Sequence, residues 1–116
     1  MTLDLIGRVE AAELHDDTFV VSAHGPMDSR CVGVLRDLLV PIAAADGAAV
    51  LLDLEDAHGL DTETLGVVGV AAHLAARRGV PLKVVTRSAH IRDLFDSCGL
   101  DAIVEVVPSL REGIKR

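Results

Sequence analysis

The stretch LLDLEDAHGLDTETLGVVG, Leu51 to Gly69, decides how the rest of the chain is read. Its opening belongs to the run AAVLLDL, Ala48 to Leu54, and an almost unbroken aliphatic run with Gly47 before it is typical of a strand covered on both faces. Such a strand belongs in the middle of a sheet. A loop over Asp56 to Gly59 is expected next, and beyond it the apolar period becomes helical, with Leu65, Val68, Ala72 and Ala75 or Ala76 on one side. Arg77-Arg78-Gly79 gives that helix a basic last turn and a stop, so it is predicted over Thr62 to Arg78.

Working outward, Leu3 to Glu13 and Thr18 to Ala23 read as an antiparallel pair of strands around the polar turn His15-Asp16-Asp17. Gly25-Pro26-Met27-Asp28 punctuates the second strand. Asp28 or Ser29 then caps a helix whose apolar face runs through Cys31, Val32, Leu35, Leu38, Leu39 and Ile42 and which ends near Asp46-Gly47. Pro41 lies inside that helix, where its missing donor predicts a kink or an altered last turn. Past the quoted stretch come a strand over Pro81 to Thr86 and a helix capped by Ser88, with Ile91, Leu94 and Phe95 inward, closed by Gly99. A short strand over Ala102 to Val106 follows, and Pro108 and Ser109 open a terminal helix over Leu110 to Lys115. The order β-β-α-β-α-β-α-β-α implies one α/β domain over residues 1–116. Its sheet is mixed, an N-terminal antiparallel hairpin plus parallel strands with helices packed against it.

Composition narrows the partners. The 116 residues carry a formal charge of -7 and only two aromatic side chains, Phe19 and Phe95, which disfavours both a phosphate backbone and base stacking, so no nucleic acid is expected. Charged residues such as Arg36, Asp37, Asp46, Asp53 and Glu55 break every apolar run well short of the roughly 20 residues that span a bilayer, so no membrane association is expected. The acidic N-terminal segment lacks a secretory signal, which makes the cytoplasm the expected location, with Cys31 and Cys98 as free thiols buried like small hydrophobes. The five histidines have no metal-ligand spacing, and no Walker loop, Gly-x-Ser-x-Gly elbow or Cys-x-x-Cys pair is present. The sequence therefore points to no metal, cofactor or catalytic residue. Gly66 and Gly69, inside the second helix, are expected to serve close packing against the sheet.

In α/β sheets, binding sites gather where a strand's carboxyl end feeds a helix. Three junctions qualify: Gly25 to Asp28, His58 to Thr64 and Thr86 to Ser88. Asp61 suits the N-cap of the second helix, and Glu63 suits its first turn. With Asp61 capping, the hydroxyl of Thr62 is left free, and a phosphoryl group there would add up to about two negative charges to a docking surface. Thr64, deeper in the turn, is expected to face the backbone and ranks second as a modification site.

Gly25-Pro-Met-Asp28, Leu51-Leu-Asp-Leu54, Asp61-Thr-Glu-Thr-Leu-Gly66 and Cys98-Gly-Leu100, in that order and spacing, resemble a STAS domain of the anti-sigma factor antagonists. The resemblance implies a partner switch. The unmodified antagonist binds a serine/threonine-kinase anti-sigma factor and frees a sigma factor; phosphorylation at the start of the second helix expels it, and a metal-dependent serine/threonine phosphatase restores it. The family's usual Asp-Ser-Ser-Gly-Leu-Gly falls on Asp61 to Gly66, and Asp28 falls on the family's acidic residue near the phosphorylation site. Asp28, Asp61, Thr62, Glu63, Thr64 and Leu65 are thereby implicated in partner binding.

One departure separates two outcomes. The second serine, the usual acceptor, is here Glu63, which imitates a phosphate only in part. Either Thr62 is the acceptor, or the module is unregulated and fixed in one binding state. A phosphoacceptor receiver built on Asp53 and Thr86 lacks the acidic pair and the lysine it needs. A small enzyme using Asp28, Asp61 and His58 needs a concavity that short loops do not provide. Association of two chains is left open.

Overall fold

The computed structural model describes residues 7–114 of the chain. Asp16 and Asp17 both take positive φ, 46° and 61°, which is the two-residue turn whose twist matches a right-handed hairpin. That turn joins β1 (Arg8–His15) to β2 (Thr18–Met27), which pair antiparallel with Arg8 opposite His24 and Ala12 opposite Val20. The expected first strand is thus displaced: it runs on to His15, Gly7 precedes it, and residues 3–6 lie outside the described residues.

The remaining elements are α1 (Val32–Ala44), β3 (Ala49–Leu60), α2 (Thr62–Arg77), β4 (Leu82–Val85), α3 (Ala89–Ser97), a 3-10 turn (Leu100–Ala102), β5 (Val104–Val107) and α4 (Leu110–Ile114). The sheet order is β1-β2-β3-β4-β5 with all pairs after the hairpin parallel, so β3 is central and the mixed sheet is the expected one. The 3-10 turn displaces the start of β5 from Ala102 to Val104; the last helix is described to Ile114, and Lys115 lies outside the described residues.

The largest correction concerns β2 and β3. Both outrun their expected ends at Ala23 and Leu54, and the expected loop Asp56 to Gly59 is strand. They extend together because the parallel register shifts twice, passing from Ser22 opposite Asp53 to His24 opposite Asp56, and from Gly25 opposite Ala57 to Met27 opposite Leu60. Such bulges admit Pro26, which has no N–H to give, and Gly25 and Gly59, whose φ values of 80° and 122° suit glycine. Residues read as strand terminators are therefore the means by which two strands bend without stopping.

One face of the sheet carries the main core, in which Val21, Leu52, Leu54 and Val84 meet Leu35 and Leu39 of α1, Val68 and Ala72 of α2, and Ile91 and Phe95 of α3. The other face carries a smaller cluster among the described residues, Val20, Leu51, Val85 and Val107 beneath Leu110 of α4. Arg78, at the end of α2, ties that helix to the end of α1 and the start of β3 by donating from Nε to the Ala43 carbonyl at 2.7 Å and from Nη2 to the Ala48 carbonyl at 2.9 Å. Pro41 is exposed, and α1 closes with an altered last turn in which Ala45 N–H donates to the Ile42 carbonyl at 3.1 Å. Both cysteines are free; Cys31 is buried as expected, but Cys98, at the C-terminus of α3, is exposed.

Leu52 is fully buried on the central strand, so Leu52→Ala should cost about 3 kcal/mol. The check is urea denaturation, with a lowered midpoint and an unchanged slope.

Candidate functional site

The carbonyl of Met27, last residue of β2, accepts the backbone N–H of Asp61 at 3.2 Å and the Thr64 hydroxyl at 3.2 Å. These two bonds pin the beginning of α2 to the end of a strand 34 or more residues earlier in the chain, and they fix which way each residue of the first turn points. Asp61, with extended backbone, accepts Thr64 N–H on Oδ1 at 2.8 Å, the N-cap bond expected of it. Thr64 is fully buried, whereas Thr62 and Glu63 are exposed. The alternation is a consequence of helix geometry: once Thr64 faces the sheet, the two residues before it face solvent.

Asp28 follows Met27 directly and so stands beside this turn. Neither it nor Ser29 caps α1, whose N-cap is Cys31 with no side-chain capping bond. Instead Asp28 takes Arg30 N–H on Oδ1 at 3.0 Å and the Arg30 guanidinium at 3.3 Å from Nε and 2.8 Å from Nη2. The side-chain bonds from Arg30 hold the Asp28 carboxyl below the usual carboxylate range. The pair therefore keeps its charge to lower pH than an unpaired carboxylate would and is lost when Asp28 itself protonates.

The other expected residues separate. His58 lines a depression on the helix-poor face of the sheet with Arg8, His24 and Asp56; in it, His24 Nδ1 lies 3.2 Å from Asp56 and His24 Nε2 3.9 Å from Glu10. It does not join Asp28 and Asp61. Asp53 accepts Glu55 N–H at 3.0 Å in the middle of β3, seven residues before the strand ends, which is not a receiver's position. At the third junction Thr86 is buried and accepts Ser88 N–H at 3.0 Å, while Ser88 caps α3 by accepting Ile91 N–H at 3.2 Å, so both side chains are engaged internally.

Leu65 is half-buried against the main core. Gly66 is exposed, and a Cβ built on it would meet nothing within 4 Å, so it does not pack on the sheet as expected; a Cβ on Gly69 would meet only Leu100, at 3.7 Å. Beside Gly66 lies a feature the sequence reading missed. Arg36 and Val40 of α1 and Glu63, Gly66, Val67 and Val70 of α2 line a groove of about 290 Å³.

The model of one protein family, described as the STAS domain, matches residues 10–113. The chain belongs to the STAS domain family. Among relatives of this STAS domain, the anti-sigma-F factor antagonist RsfA of Mycobacterium tuberculosis is 29% identical over 103 residues, covering 86% of this chain and 80% of that protein. The anti-sigma-B factor antagonist of Bacillus subtilis is 29% identical over 101 residues, covering 87% and 92%. In fold, the STAS domain superposes on the Bacillus cell fate determinant SpoIIAA in its phosphorylated form with a TM-score of 0.76 at 16% identity, covering 94% of this chain and 98% of that one.

Stability should divide three residues of the turn. Asp61→Ala and Thr64→Val should each cost about 1 kcal/mol through a lost cap and a lost buried bond, while Thr62→Ala stays within about 0.5 kcal/mol. Urea midpoints of the three variants make the comparison.

Proposed function

We propose that this STAS domain is an anti-sigma factor antagonist: it binds a serine/threonine-kinase anti-sigma factor through the surface around Thr62, frees a sigma factor, and is released when Thr62 is phosphorylated. The observation that carries this reading is the division of labour in the first turn of α2. Asp61 and Thr64 are occupied by internal hydrogen bonds, and the Thr62 hydroxyl is exposed without either duty. The names of the two relatives support the same role.

In the switch, the Thr62 oxygen attacks the terminal phosphorus of ATP held by the kinase, ADP departs, and the hydroxyl proton is lost. The new group carries nearly two charges and stands at the positive end of a sixteen-residue helix, so the fold tolerates it. The docked partner does not: charge placed in a closed contact must be desolvated and faces groups chosen for a neutral hydroxyl. Glu63 next to it adds its own charge, and Asp28, Asp61 and Leu65 complete the contact surface. Hydrolysis by a metal-dependent serine/threonine phosphatase resets the domain. A cytoplasmic location and the absence of any catalytic step by the domain itself go with this reading.

The test is affinity for the cognate kinase. Thr62→Ala should bind within about threefold of the wild type and resist phosphorylation, and Thr62→Asp should bind at least roughly tenfold more weakly. Equal binding by all three would mean a module held permanently in one state, with Glu63 supplying the charge at this position, and would contradict the switch.

A further inference from the structure

Gly66 is the starting point. Glycine is the poorest helix former short of proline, and it is kept where backbone needs positive φ or where a neighbour comes too close for a Cβ. Gly66 has neither reason: its φ is not positive, it lies in the interior of α2, and nothing stands within 4 Å of a Cβ built on it. The space it leaves is the floor of the groove between α1 and α2.

The walls have a consistent chemistry. Glu63, Gly66, Val67 and Val70 repeat at three- and four-residue spacing and so form one stripe of α2, while Arg36 and Val40 are on the facing side of α1. Val70 is 53% exposed, so the groove wall keeps an aliphatic side chain open to solvent. One rim ends in Glu63, immediately next to Thr62.

We infer that this groove seats an aliphatic side chain of the same anti-sigma factor kinase that acts on Thr62, flanked on the partner by a basic residue facing Glu63; this rests on the function proposed above. Charge selects this occupant over a second copy of the chain. Each copy has a formal charge of -7, so self-association sets like against like, whereas a basic partner surface is drawn to it. Position agrees, because the groove begins one residue from the hydroxyl that the kinase must reach. An apolar anchor in a notch beside a polar, chargeable rim is the usual division between a hot spot and its surroundings.

The experiment fills the notch. Gly66→Ala and Gly66→Gln replace glycine by better helix formers pointing into open space, so both should raise the melting temperature by roughly 3–6 °C. Affinity for the purified anti-sigma factor kinase that phosphorylates Thr62 should nevertheless fall, by about threefold for Ala and at least about tenfold for Gln. Val70→Asn, at an exposed position, should lose about fivefold without any gain in stability. Thr62→Asp is measured in parallel. If it weakens binding while the Gly66 and Val70 variants bind like the wild type, the groove is not a docking site and the phosphorylation reading survives; if Thr62→Asp also binds normally, that reading fails too. If the domain alone sediments as a dimer that Gly66→Gln dissociates, the occupant is a second copy and the inference is overturned.

Discussion

The Met27 carbonyl is the point on which the functional end of this domain depends. An oxygen at the end of β2 has two lone pairs, and both are used here by the start of α2, one by the Asp61 backbone and one by the Thr64 hydroxyl. A helix that merely followed β3 through a loop would be free to rotate about its axis by part of a turn. Fastened at its first turn to a different strand, it is not. The register between Met27 and Leu60, reached only through two bulges, is what brings the carbonyl to the right place.

That fastening separates structural from functional chemistry within four consecutive residues. Thr64 and Asp61 satisfy backbone groups that would be costly to leave unpaired at a buried helix end, so changing either one lowers stability. Thr62 and Glu63 carry none of that burden. In the proposed switch, phosphorylation at such a position would alter surface charge while leaving the helix start intact, so that one modification could change a contact without unfolding the module that makes it. Asp28, held by Arg30, contributes fixed charge beside the same turn.

What the sequence made legible follows the range of the interactions involved. The cap at Asp61, the cap at Ser88 and the polar turn around His15-Asp16-Asp17 depend on groups a few residues apart, and pattern and spacing reveal them, whereas the bond that buries the Thr64 hydroxyl reaches Met27, 37 residues back. The family resemblance, carried by the motifs around Asp28, Asp61 and Cys98, anticipated the architecture and the family itself. Strand ends were misjudged because Gly25, Pro26 and Gly59 have the same composition in a bulge as in a turn, and only the partner strand decides between them. The cap expected of Asp28 or Ser29 is not made, the N-cap being Cys31, and the Asp28 carboxylate goes instead to Arg30, two residues on, a charged donor that the first turn of α1 cannot match. The groove at Gly66 was invisible because it exists between two helices rather than within either, and Cys98 was placed inside only by the average habit of cysteine.

The central claim is that the pinned turn presents one hydroxyl and hides the other. Tandem mass spectrometry of the intact domain after reaction with its kinase and ATP tests this most directly. A single phosphoryl group on Thr62, absent from Thr62→Ala and present in Thr64→Val, is expected. A phosphoryl group on Thr64, or on Ser29 with Thr62 untouched, would contradict it.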